Sequence, residues 1–171
     1  TTIEPMLSVC DTYRDFCFPM IGLHPTSVNE SYEKELEIVA ANLETSGRFV
    51  AVGEIGIDLY WDKTWLKEQL IAFEKQVQWA LHYQLPIVIH CREAFDYIYK
   101  VMKTYKNTPL TGIFHSFTGT PDEAAKLLEF EGFMLGINGV VTFKKSTLPD
   151  TLRTVPLERI VLETDSPYLT P

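Results

Sequence analysis

Residues 86–92 read Pro86-Ile87-Val88-Ile89-His90-Cys91-Arg92. The run is apolar on consecutive rather than alternate positions and stops on a histidine, which is how a strand buried on both faces of a parallel sheet reads. Outward from it the chain repeats one unit: a short apolar run, a polar residue at its end, then an amphipathic stretch. The other runs are Phe18–Leu23, Phe49–Val52, Leu110–Phe114, Phe133–Ile137 and Ile160–Leu162. Between them apolar residues recur at helical spacing: Tyr32, Leu36, Val39 and Leu43; Leu66, Leu70, Phe73, Val77 and Leu81; Ala94, Ile98, Val101 and Tyr105. Thr120-Pro121-Asp122-Glu123 reads as a capping box with proline at the first helical position, and Gly132 is placed as the C-terminal cap of that helix. A short helix is expected around Pro149 to Val155.

Strand–helix alternation at this spacing predicts right-handed βαβ units and a parallel sheet, open or closed into a barrel. No stretch matches G-x-G-x-x-G or G-x-x-x-x-G-K, the phosphate loops that doubly wound sheets usually carry, so a barrel is favoured. Six strands are too few for the eight-stranded form, which typically needs about 250 residues. Either the sheet is open or these 171 residues are a piece of something longer.

Composition narrows the class. The chain is 46% hydrophobic and 22% charged, an ordinary globular balance, and no apolar run approaches the roughly 20 residues that span a bilayer. A net charge of −8 repels nucleic acid in bulk, so a phosphate ligand would need a local positive device such as metal ions. Three cysteines without a C-x-x-C pair argue against a disulfide framework or a thiolate zinc site, and a reducing, cytoplasmic setting is expected.

The polar residues at the strand ends carry the functional argument. They are His24, Glu54, His90, His115 and Asp165. In a parallel barrel these carboxyl ends converge on one rim, where such folds place their active sites. Imidazole suits Zn, Mn or Fe, and carboxylate suits Mg and Mn and can bridge two ions. Singly, a strand-end histidine is most often a hydrogen-bonded structural residue and a lone acid a helix cap. Three of the four histidines at equivalent strand ends, with two acids beside them, is a different matter; His82, on a helix, is expected to face solvent. These residues lie far apart along the chain, so the site depends on the fold.

Two rival chemistries fare worse. His90-Cys91-Arg92 invites comparison with the H-C-x5-R loop of cysteine phosphatases, but position 97 is Tyr97 and Cys91 is expected on the strand face opposite His90, as a small core residue. Ser116 and Ser166 lack a nucleophile elbow.

Gly53-Glu54-Ile55-Gly56-Ile57-Asp58, Ile89-His90-Cys91-Arg92, Phe114-His115-Ser116-Phe117-Thr118-Gly119 and Glu163-Thr164-Asp165-Ser166-Pro167-Tyr168-Leu169 resemble the signature blocks of the TatD-related metal-dependent deoxyribonucleases. Gly22-Leu23-His24-Pro25 matches a further block, and the blocks stand in family order from about His24 to Leu169. The resemblance implies a (β/α)8 TIM-type barrel of the amidohydrolase-like kind, with a pair of divalent metal ions (Mg, Mn or Zn) at its carboxyl rim. Glu54 is then the bridging ligand and His90 and His115 the other ligands of one ion. Asp165 is a ligand of the second ion and the candidate general base. His24, Asp58 and Arg92 contact substrate phosphate or orient the ligands. The family's first strand carries an H-x-H pair that is absent from these residues, so residues 1–171 read as a single catalytic barrel domain with strands three to eight, lacking the first two strands and the final helix.

The expected activity is hydrolysis of DNA phosphodiester bonds by two-metal-activated water, the substrate being single-stranded or taken at its ends. No membrane or protein partner is expected. Two alternatives remain at this level: a related metal-dependent hydrolase of a small ester, amide or phosphoester, and a barrel that has lost the metal pair and serves as a scaffold.

Overall fold

The computed structural model describes residues 2–166 and Tyr168. Pro167 and Leu169 of the last signature block, and the outermost residues of the 1–171 domain reading, lie outside the described residues. The elements in chain order are α1 (Ile3–Thr12), β1 (Met20–Ile21), α2 (Tyr32–Ser46), β2 (Ala51–Asp58), α3 (Leu66–Tyr83), β3 (Ile87–Arg92), α4 (Phe95–Lys103), β4 (Gly112–Phe114), α5 (Pro121–Leu127), β5 (Phe133–Ile137), α6 (Leu148–Leu152) and β6 (Ile160–Leu162).

All five strand pairs are parallel and the sheet order is β1-β2-β3-β4-β5-β6. A doubly wound sheet reverses direction at a switch point; this one never does, which is the winding of a barrel wall. The described residues leave that wall unclosed between β1 and β6. The strands are short and apolar because both faces are covered. Val52, Ile55 and Ile57 of β2 and Ile87 and Ile89 of β3 are fully buried, as are Phe73, Val77 and Ala80 of α3 that pack with them.

Several expectations hold to the residue. β5 and β6 match the apolar runs, α2 buries Leu36, Val39 and Leu43, and His82 is exposed. The capping box forms: Thr120 Oγ1 accepts the Glu123 N–H, and Glu123 Oε2 accepts the Thr120 N–H at 2.7 Å. Others need correction. Gly132 does not cap α5, which already ends at Leu127 with Leu128 in the right-handed region. A side chain at 132 would press on the Leu110 carbonyl and on Thr111, so glycine serves close packing there. β2 does not stop at Val52 but runs to Asp58, and Glu54 lies within it. Helix α1 went unread, although Ile3, Met6, Leu7 and Cys10 fall at helical spacing and pack inward.

Opposite β3 the β2 register slips by one residue between Val52 and Ile55, so an extra residue bulges at Gly53-Glu54. Gly56 follows at φ +145°, and a Cβ there would collide with the His90 carbonyl. Only glycine fits this close approach of two backbones, and it sits between the two acids of β2.

Candidate metal centre

Glu54 is the hub. Its Oε1 lies 3.1 Å from His90 Nδ1 and 3.6 Å from His115 Nε2, and its Oε2 lies 3.8 Å from His24 Nε2. The three histidines come from the ends of β1, β3 and β4, so the wall of parallel strands does gather them at one rim. Asp165, just past β6, joins through Oδ1 at 3.4 Å from His115 Nε2. These residues and Arg92 line one cavity of about 860 Å³.

Each imidazole has one nitrogen fixed from behind. His90 Nε2 lies 2.8 Å from Asp58 Oδ2, and His115 Nδ1 lies 2.7 Å from Glu163 Oε2. A carboxylate only accepts, so those nitrogens carry protons; the opposite ones turn to Glu54, and His90 Nδ1 donates to it at 3.1 Å. His24 Nδ1 is engaged by Thr26, leaving Nε2 facing the site 3.3 Å from His90 Nδ1. Carboxylates behind histidines are the outer support that metal sites use to fix ring orientation and raise basicity.

The charges follow from this geometry. Burial pushes the His115 imidazolium down, but the Glu163 hydrogen bond and the charges of Glu54 and Glu163 overcome it and raise its pKa to about 9. Burial likewise opposes the charged form of His90, yet Glu54 and Asp58 hold its pKa up. Glu54 resists burial through the His90 hydrogen bond and the neighbouring imidazoles, and its pKa is lowered. His24 is lowered by burial and by the charge of His90. Protonated imidazoles around an ionised acid occupy the place that a divalent cation takes when the protons leave.

The donor set suits such an ion: His24, Glu54 and His90 offer ligand atoms within 4.8 Å of one another. His24 therefore sits among the possible ligand atoms rather than at a distance. Asp58 is buried, with one oxygen on His90 and the other accepting the Tyr60 N–H at 2.9 Å. Arg92 lies at the rim, its guanidinium 3.7 Å from the Tyr60 ring centroid. Burial pushes the Cys91 thiol up to about 12, which removes any thiolate nucleophile.

Three side chains escaped the sequence reading. Glu163 also accepts the Ser116 N–H, and a side chain at Gly136 would strike its carboxylate. Glu163 and Asp165 are two apart, hence on one face of an extended segment, a signal that was available. Gln69 and Gln76, seven apart on α3, are buried. Gln69 bonds the Asp58 N–H and carbonyl at 2.9 and 3.1 Å, and Gln76 those of Leu23 at 2.6 and 3.3 Å. One helix face thus clamps the backbone that presents Asp58 and His24. Nothing in a helical glutamine foretells that.

The model of the family described as TatD related DNase matches residues 1–171. The chain belongs to this family. A metal-dependent hydrolase of Bacillus subtilis, YabD, is 33% identical over 171 residues, 99% of this chain and 66% of the relative. A protein of Erwinia tasmaniensis named 3'-5' ssDNA/RNA exonuclease TatD is 31% identical, over 98% of this chain and 65% of its own. Among solved structures, the TatD homologue YjjV of Escherichia coli superposes with a TM-score of 0.84 at 28% identity, covering 97% of this chain and 64% of that one. The barrel-type fold expected from the strand pattern is therefore that of the TatD family, and this chain spans just under two thirds of the length of these relatives. No helix among the described residues is long and apolar enough to cross a membrane.

Proposed function

We propose that this TatD-family chain carries most of the active site of a divalent-metal-dependent phosphodiesterase acting on nucleic acid. The observation that supports it is a single ionised carboxylate, Glu54, faced by three imidazole nitrogens, two of them on rings held from behind by acids. In this reading Glu54, His90, His115 and Asp165 hold two divalent ions, and His24 lends a further donor. Bound there, the ions would lower the pKa of water and offset charge developing on the phosphate oxygens. Asp165 accepts the proton of the attacking water, and its place beside His115 Nε2 aims it at the cavity. Arg92 meets a non-bridging phosphate oxygen at the rim. Asp58 and Glu163 keep two rings turned inward.

The name of the Erwinia relative supports single-stranded nucleic acid as the substrate. The donors present face one another rather than scatter, which favours a metal-binding enzyme over the scaffold alternative that the missing H-x-H pair suggests. The experiment is a substrate panel on the full-length protein: single-stranded and duplex DNA, a chromogenic phosphodiester, an aryl ester and an amide, each with Mg²⁺, Mn²⁺ or Zn²⁺ and with EDTA. Cleavage of the phosphodiesters alone, abolished by EDTA and restored by added cation, is the expected result. Hydrolysis of the ester or amide with intact DNA would overturn it.

A further inference from the structure

The rim of the metal cavity carries an aromatic side chain that the metal chemistry does not use. Trp61 lines the cavity, is 74% exposed, and joins neither apolar cluster of the described residues. Its ring meets Tyr60 edge to face, centroids 4.8 Å apart and planes at 89°. The Arg92 guanidinium lies over Tyr60 and stands 5.7 Å from the Trp61 centroid. The segment is tied down on both sides: Tyr60 N–H donates to Asp58, Leu59 N–H donates to the Arg92 carbonyl at 2.9 Å, and Asp62 Oδ1 accepts the Thr64 N–H at 2.8 Å.

A large indole held in water beside a cation and a candidate hydrolytic centre has a chemical use: its face can take a flat π-surface. We infer that Trp61 is a stacking wall for a nucleobase next to the scissile phosphate, with Tyr60 as its buttress. The inference rests on the phosphodiesterase reading and sharpens its substrate class. Bases inside a duplex have both faces covered, so only a single strand or a frayed end offers a free face to the indole. Stacking also answers the charge problem, because a chain of net charge −8 gains little from bulk attraction to a polyanion. Base–aromatic contact is indifferent to which base is offered, so the wall confers preference for unpaired strand without sequence preference.

The test is fluorescence anisotropy on the full-length protein in EDTA, with a labelled ten-thymidine strand and a strand of equal length whose sugars lack bases. Wild type should bind the thymidine strand about 10-fold more tightly than the abasic one. Trp61→Ala should bring that ratio close to one, and Trp61→Phe should restore most of it. A ratio unchanged in Trp61→Ala, or a wild type that does not distinguish the strands, overturns the inference. Wild-type hydrolysis of a small chromogenic phosphodiester with Mn²⁺ reports separately on the phosphodiesterase reading, which survives the loss of the stacking wall.

Discussion

Replacing Glu54 by glutamine is expected to reduce metal-dependent phosphodiester hydrolysis by about 10³-fold or more while leaving the fold intact. The substitution keeps volume and shape, and no apolar packing is lost. What disappears is the negative charge that nitrogens of His90, His115 and His24 share at 3.1–3.8 Å. A metal pair contributes several kcal/mol of transition-state stabilisation, and about 1.4 kcal/mol is tenfold in rate. Loss of the shared carboxylate should therefore reach at least three decades. Initial rates on single-stranded DNA with saturating Mn²⁺, beside a thermal unfolding curve, make the check. Activity within threefold of wild type would deny Glu54 its central place.

Glu163→Gln should act more gently and through His115. Supporting carboxylates behind metal-bound histidines typically contribute about 10- to 100-fold in metal affinity or activity, and a loss of that size is expected here. The metal-free protein provides a second readout. The folded-state pKa of His115, about 9, is above the ordinary 6.5, so protonation favours the folded form. That stabilisation is complete below pH 6.5 and is lost as pH rises through about 9. Urea unfolding in EDTA at steps between pH 6 and 9.5 should show wild type declining through this window and Glu163→Gln declining less. NMR titration of the His115 ring should give a midpoint that falls towards 6.5 in the variant. Identical slopes and midpoints would remove Glu163 from the site.

Much of this architecture was legible because it is written in local chemistry. Consecutive Ile, Val and Phe mark strands covered on both faces, and a polar residue where the run ends marks the rim. His90 and His115 were placed this way from two short stretches alone. Glu54 reads from the sequence as following a strand end, whereas it lies inside β2. Glycines at 53 and 56 made the run look finished at Val52, whereas Ile55 and Ile57 carry the strand onward and a one-residue bulge accompanies the acid. For Glu163 the i, i+2 spacing to Asp165 gives the face but not the partner; only the approach of β4 gives it a histidine to hold. Gln69 and Gln76 were invisible for the same reason. A buried glutamine has meaning only once the backbone it satisfies is in place.

The most direct test is to crystallise the full-length protein with Zn²⁺ and record anomalous scattering at the zinc edge. The account requires a peak about 2.0–2.2 Å from a Glu54 carboxylate oxygen and about 2.0–2.1 Å from His90 Nδ1 or His115 Nε2. Zinc bound elsewhere, with Glu54 bare and the histidines still paired to their acids, would contradict it.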